Sequence, residues 1–212
     1  MRYVTADHYF TSDPSTAPQI RYVEFEAAGR EFRLAAASGV FSAGRLDPGT
    51  AVLLAKAELP GADERGPLLD LGCGYGPIAT VLATVAAAAT VYAVDVNQRA
   101  LDLVRRNTAE ASVADRVITT TPDEVPEGVT FSQIWSNPPI RIGKQELHRL
   151  LRRWLARLAA DGKAWFVVGR NLGADSLQRW LAEDEGWHVD RYASQKGFRV
   201  LRVHHELGGS RA

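Results

Sequence analysis

Past residue 60 the chain alternates short apolar runs with longer amphipathic stretches. Pro67–Leu71 is apolar except for one acid and predicts a short strand buried on both faces. Pro77–Val85 is apolar enough for a helix packed on a sheet, and Thr90–Val94 predicts a second strand. Gln98–Glu110 predicts a helix with Ala100, Leu101, Val104 and Ala109 turned inward. Arg116–Thr120 and Phe131–Trp135 predict the third and fourth strands, and Gln145–Ala159 a helix. Lys163–Val168 follows as a strand, Ala174–Glu183 as a helix, and Trp187–Ser194 with Phe198–His204 as a strand pair joined at Lys196-Gly197. Strands alternating with helices imply an α/β fold, a mostly parallel sheet covered on both faces. The closing strand pair adds an antiparallel edge.

The first 60 residues have a different rhythm. Residues 1–19 are polar with Pro14 and Pro18 and predict an irregular arm. Ile20–Glu26 and Glu31–Ala36 predict a β-hairpin turning at Gly29. Asp47 is placed to N-cap a helix with Pro48 at its first position, running to about Leu59. The expected organisation is an arm and hairpin extension over 1–45, an α/β domain over 46–204 and a frayed tail over 205–212.

Composition changes this picture in two ways. Lys plus Arg number 25 and Asp plus Glu 25, so binding to a polyanion would have to come from a local patch. The single cysteine, Cys73, excludes an internal disulfide and fits a reducing cytoplasm. No apolar run is long enough to span a bilayer, and Met1–Asp13 lacks the apolar core of a signal peptide. A cytoplasmic location with no membrane contact is therefore expected.

The densest chemical signal is Asp70-Leu71-Gly72-Cys73-Gly74-Tyr75-Gly76-Pro77, where a strand runs through glycines into a helix. Glycine permits positive φ and close approach of a ligand to the backbone. A dinucleotide loop wants G-x-G-x-x-G, whereas here an acid stands two places before the first of three alternating glycines. Asp70 would repel a pyrophosphate but attract the ammonium of an amino-acid tail, directly or through water. Asp95 ends the second predicted strand, before Val96 and Asn97, and its carboxylate can accept both hydroxyl hydrogens of a ribose. Cys73 has no His or second Cys nearby in sequence to activate it, and is expected to serve as a small loop residue.

The fourth strand ends in Asn137-Pro138-Pro139-Ile140. Two prolines fix φ and remove two N–H donors, leaving carbonyls as acceptors. An amide oxygen beside such a carbonyl suits a substrate amino group, holding its hydrogens while the lone pair faces a methyl donor.

Taken in order, the glycine loop, the acidic strand end and Asn-Pro-Pro-Ile resemble the class I S-adenosylmethionine-dependent methyltransferases. That resemblance implies a Rossmann-like, seven-stranded sheet and S-adenosylmethionine as cofactor. Ser38-Gly39-Val40-Phe41-Ser42, Leu46-Asp47-Pro48-Gly49-Thr50 and the run from Asn137 to Lys144 are further similar to the "small" methyltransferase domain family, which includes bacterial ribosomal RNA guanine-N2 methyltransferases. The resemblance implies that Asp70, Gly72, Cys73, Gly74, Gly76, Asp95, Val96, Asn97 and Asn137 meet the cofactor. It also implies that Asn137, Pro138, Pro139 and Ile140 form the catalytic element. Ile140 stands where many relatives carry a base-stacking aromatic, so stacking would have to come from elsewhere, with Phe41 a candidate. Arg141 and Lys144 sit beside the expected target site and are the candidate RNA contacts.

Arg149, Arg152, Arg153 and Arg157 share one face of the predicted helix and are expected to be a solvated face. His204-His205 has no acidic ligand set beside it in sequence, and no metal is expected. The expected activity is methylation of a guanine N2 amine in ribosomal RNA, free or in an assembled subunit. Methylation of a protein glutamine or a small molecule, and non-catalytic cofactor binding, remain as alternatives.

Overall fold

The computed structural model describes residues 20–40, 42 and 44–206. Residues 1–19, Phe41, Ala43 and residues 207–212 lie outside the described residues, so the expected arm, the stacking role of Phe41 and most of the expected tail fall there.

Strands β1 (Ile20–Ala27) and β2 (Arg30–Ala37) form the expected hairpin, paired from Ile20↔Ala37 to Ala27↔Arg30. Ala28 and Gly29 both take positive φ at its two-residue turn, as right-handed strand twist requires. Helix α1 (Pro48–Lys56) begins at Asp47, whose carboxylate accepts the Gly49 and Thr50 N–H groups.

The larger sheet is built from β3 (Leu68–Leu71), β4 (Val91–Val94), β5 (Val117–Thr120), β6 (Phe131–Ser136), β7 (Leu158–Gly169), β8 (His188–Gln195) and β9 (Phe198–His204). Its order is β5-β4-β3-β6-β7-β9-β8. The pairs from β5 to β7 are parallel, and β9 runs antiparallel to both β7 and β8. Helices α2 (Pro77–Val85), α3 (Gln98–Glu110), α4 (Lys144–Leu155) and α5 (Ala174–Arg179) alternate with the strands. This is the Rossmann-like, seven-stranded arrangement that the sequence predicts, with an N-terminal hairpin added.

Two apolar clusters lie on the sheet's faces. One joins Leu53 of α1, Leu82 of α2 and Leu101 of α3 to Trp135 and Trp165. The other joins Leu151 and Trp154 of α4 and Leu177 of α5 to Phe131 and Phe166. Trp135, Trp154 and Trp165 are fully buried, so each contributes a large apolar surface to the core. A third cluster packs Val23 and Leu34 of the hairpin against Ala100 and Leu103 of α3. Buried Asn107 of α3 ties the hairpin to the glycine loop: it accepts the Ala35 N–H and donates to the Ala35 and Tyr75 carbonyls.

Some boundaries differ from the sequence reading. The helix expected to reach Ala159 stops at Leu155, because Leu158 pairs with Phe131 and starts β7 early. α1 ends at Lys56 and α5 at Arg179, the latter continuing as a π-helical turn over Trp180–Asp184. Ala109, expected inward, is exposed, and Leu103 takes the inner position.

Candidate active site

The parallel strands end at one edge of the sheet, and a cleft opens there between β3, β6 and the start of α1. Asp47, Thr50, Gly72, Cys73, Gly74, Tyr75 and Asn137 are among its lining residues. The glycine loop and the Asn-Pro-Pro turn, 65 residues apart in sequence, meet here because β3 and β6 are neighbours; Ser136 Oγ also donates to the Leu71 carbonyl at 2.7 Å.

The three glycines do different work. Gly72 and Gly74 have φ of +73° and +55°, and a Cβ on either would meet nothing within 4 Å, so the loop presents bare backbone to open space. Gly76 has φ of +86°, and a Cβ there would lie 3.0 Å from Val104 Cγ2. Gly76 is buried, and its lack of a side chain lets α2 pack on α3.

Asp95 closes the loop from β4. One carboxylate oxygen accepts the Gly74 N–H at 2.9 Å and the other the Asn97 N–H at 2.9 Å. A carboxylate has about four acceptor sites, so both oxygens keep capacity for hydroxyl donors. Burial raises its pKa, opposed by the N–H groups of Asn97, Gly74 and Val96. Val96 beside it is 47% exposed, an apolar side chain available to a flat ring. The Asn97 side-chain oxygen caps α3 through the Arg99 and Ala100 N–H groups, and its nitrogen donates to the Gly39 carbonyl. With 2% exposure and both ends engaged, the Asn97 side chain ties the Gly39 backbone to the start of α3.

Asp70 is fully buried beneath the glycine loop. One oxygen accepts the Ala79 N–H of α2 at 2.9 Å and the other has no partner. Burial pushes its pKa up to about 8, the Ala79 N–H opposing and Asp95 reinforcing. Cys73 is buried, and burial together with Asp95 and Asp70 drives its thiol pKa up, as befits an inert loop residue.

Asn137 is half-buried on the far wall of the cleft. Its amide nitrogen donates to Asp47 Oδ1 at 2.7 Å and to Thr50 Oγ1 at 3.1 Å. Both N–H hydrogens are thereby used within the protein, and the amide oxygen is the group left for a ligand. Asp47 and Thr50 line this cleft with Asn137; the sequence marked them by a capping signal and by the family resemblance, and their pairing with Asn137 is what the fold adds. The Pro138 carbonyl, expected to be bare, accepts the Ile140 N–H at 2.8 Å, which leaves it one lone pair. The Pro139 carbonyl accepts the Ile142 N–H at 3.1 Å. Tyr75 reaches the cleft with its hydroxyl buried and unpartnered, its pKa raised by burial and then by Asp47.

Arg141 and Lys144 are exposed beside this turn. The arginines further along α4 are engaged locally: Arg149 with Glu146, Arg152 with Glu185, and Arg153 with Asp123. Arg157, beyond the helix end, donates to the Val129 and Pro126 carbonyls. Away from the cleft, the β8–β9 pairing brings His188 and Asp190 beside His204, so the expectation that His204 lacks an acidic neighbour is corrected. Asp190 is there bound by Arg202 at 2.9 and 2.7 Å. Among the described residues, no helix is long and apolar enough to cross a membrane.

A bare glycine loop over an orphaned buried carboxylate oxygen, with an acid at the next strand end, fits a ligand joining an amino-acid tail to a ribose. The donor set is thus compatible with S-adenosylmethionine.

Comparison with known proteins agrees with this geometry. The Methyltransferase small domain model matches residues 31–202. The Bacillus subtilis protein named "Uncharacterized protein YbxB" is 32% identical over 202 residues, covering 93% of this chain and 98% of that protein. Ribosomal RNA small subunit methyltransferase C of Pseudomonas aeruginosa is 34% identical over 178 residues, covering 76% of this chain and 51% of that one. The chain therefore spans nearly all of the first relative and about half of the second. Among solved structures, the T. thermophilus 16S rRNA N2 methyltransferase RsmC, in complex with AdoMet and guanosine, superposes with a TM-score of 0.75 at 22% identity. That match covers 92% of this chain and 52% of the other. With the family model matched from β2 into β9, the chain belongs to the methyltransferase small domain family.

Proposed function

We propose that this protein is an S-adenosylmethionine-dependent N-methyltransferase of the cytoplasm that methylates the exocyclic N2 amine of a guanine in ribosomal RNA. The observation that carries this reading is the fixed orientation of Asn137. Asp47 and Thr50 take its amide hydrogens, so its oxygen is the acceptor presented to an incoming amino group. The amine donates one hydrogen to that oxygen and a second to the remaining lone pair of the Pro138 carbonyl, which points the nitrogen lone pair away from both. Bound S-adenosylmethionine supplies an electrophilic methyl group on a sulfonium. Asn137 and Pro138 stabilise the positive charge that grows on nitrogen, and the acidified amine then loses its proton without a strong base.

Gly72, Gly74, Asp95 and Val96 hold the cofactor in this reading, with Asp70 acting from beneath the loop. Residues 46–204 form the catalytic domain and the hairpin buttresses α3. The names of the ribosomal RNA methyltransferase relatives, and the guanosine in the superposed structure, support the substrate class. A glutamine amide would satisfy the same acceptors. The exposed cations Arg141 and Lys144 beside the turn favour nucleic acid. The test is to titrate the protein with S-adenosylmethionine and NAD, then measure turnover of the Asn137→Ala variant on ribosomal RNA. Binding of the first ligand only, with turnover lost and cofactor affinity kept, is expected; NAD binding or normal turnover would refute the reading.

A further inference from the structure

We propose that the tip of the β8–β9 hairpin and the adjoining end of β7 form an RNA-docking surface, with Phe198 as an apolar wall of the base pocket. This inference rests on the RNA reading above and extends it to residues that no sequence motif marks.

The topology sets the direction of approach. In the order β4-β3-β6-β7-β9, the cofactor loops follow β4 and β3, and Asn137 follows β6. A substrate reaching Asn137 from the side away from the cofactor therefore crosses the ends of β7 and β9. Gly169, the last residue of β7, pairs with Phe198, which in turn pairs with Gln195 across the hairpin. The Arg170 N–H donates to the Gly197 carbonyl at 2.8 Å, so Arg170 and the Lys196-Gly197 tip are neighbours at the same edge as the cleft.

Charge on this edge is uneven in a useful way. Arg45, Arg141, Lys144, Arg170 and Lys196 are all exposed, and none has a side-chain hydrogen bond or ion pair among the described residues. Two nearby acids are already paired with cations: Asp175 with Arg191 and Arg199, and Glu146 with Arg149. In a chain of zero net charge, this gives a local positive rim around the target site.

Phe198 supplies the apolar part. It is half-buried, and a Cβ added to Gly49 would lie 3.1 Å from its ring, so the ring lies directly against the backbone of Gly49. Gly49 stands between Asp47 and Thr50, the two residues that orient Asn137. Ile140 offers no ring at the turn itself, and Tyr75 is enclosed at 2% exposure. Phe198 is thus a partly buried ring that packs on the core cluster under α1 and touches Gly49, one residue from Thr50 and two from Asp47. A ring there suits an unstacked base, and cations on the flanking loops suit its phosphates.

Ribosomal RNA fragments serve as the probe for binding to the full chain across a range of salt. The Arg170→Ala/Lys196→Ala double variant is expected to weaken binding and to flatten the log–log salt slope by about 1.4, two contacts at ~0.7 each for single strands. Arg65→Ala/Arg179→Ala, ahead of β3 and at the end of α5, is the control and should match wild type. Phe198→Leu keeps the packing on Gly49 but loses the ring, and should raise KM for RNA at least about fivefold. S-adenosylhomocysteine affinity should be unchanged, and Phe198→Tyr should restore KM. Wild type that binds RNA alongside an unaffected double variant and an unaffected Phe198→Leu overturns this surface alone. Wild type that binds no RNA at low salt overturns the RNA reading as well.

Discussion

Asp47 Oδ1 accepts three hydrogens at once: the Gly49 and Thr50 N–H groups at 2.8 and 3.0 Å, and the Asn137 side-chain amide at 2.7 Å. One oxygen therefore starts α1 and sets the orientation of the amide that would meet the substrate. Replacing Asp47 with alanine should cost ~0.5–2 kcal/mol of stability through the lost cap. It should also lower turnover by more than that loss explains, because Asn137 regains rotational freedom. Asp47→Asn keeps an acceptor oxygen and should retain the melting temperature with an intermediate turnover. Thermal denaturation beside steady-state kinetics separates the two roles.

Asn137→Ala tests chemistry apart from binding. Turnover should fall ~10²–10³-fold, as for loss of one preorganised polar group elsewhere. Calorimetry with S-adenosylhomocysteine should give nearly wild-type affinity, since the cofactor loop is held by Asp95 and not by Asn137.

Asp95→Ala should differ from Asn137→Ala in both respects. Loss of hydroxyl acceptors should weaken S-adenosylmethionine binding by ~1.5–3 kcal/mol. The Gly74 and Asn97 N–H groups also lose their acceptor, so the melting temperature should drop as well. A variant with full affinity would exclude Asp95 from the cofactor site.

The glycines of the loop should separate by what surrounds them. Gly72→Ala meets open space and costs ~1–2 kcal/mol for the left-handed backbone alone, while projecting a methyl from the cofactor loop. Gly76→Ala adds a contact at 3.0 Å with Val104 and should be the more destabilising change. Comparing melting temperature with cofactor affinity for each variant checks the distinction.

Asp70 gives the apo protein a pH signature. Its pKa in the fold, about 8, lies above the ordinary 3.8, so the native state binds the extra proton between those values. Stability from this group is complete below pH 4 and is lost as pH rises toward 8. Asp70→Asn can still accept the Ala79 N–H and should flatten that decline. Melting temperatures from pH 5 to 9 that fall equally in both proteins would contradict it.

The parts of the site written in contiguous residues were legible in the sequence. Asp70 through Pro77 and Asn137 through Ile140 announce a strand end, a turn and unusual backbone freedom or rigidity within a few positions. What the sequence could not show is what depends on pairing across the fold. Asp47 meets Asn137 across 90 positions, and a capping acid looks the same with or without a second partner. Gly76 and Asn97 carry the spacing of ligand-binding residues, and the helix packing and helix capping that they also perform cannot be read from that spacing. Phe198 stands in an ordinary strand pattern, and only the register of β7 and β9 with the fold of α1 brings it to Gly49. The early start of β7 has the same cause, a long-range pairing of Leu158 with Phe131 that outweighs the local helical pattern.

The substrate is identified by following a labelled methyl group from S-adenosylmethionine. The enzyme is incubated separately with ribosomal RNA, assembled ribosomal subunits and total cell protein, and the products are hydrolysed and identified by mass spectrometry. Label in N2-methylguanosine, lost in the Asn137→Ala variant, is the predicted result. Label confined to protein as methylated glutamine, or no transfer to any of the three, would contradict it.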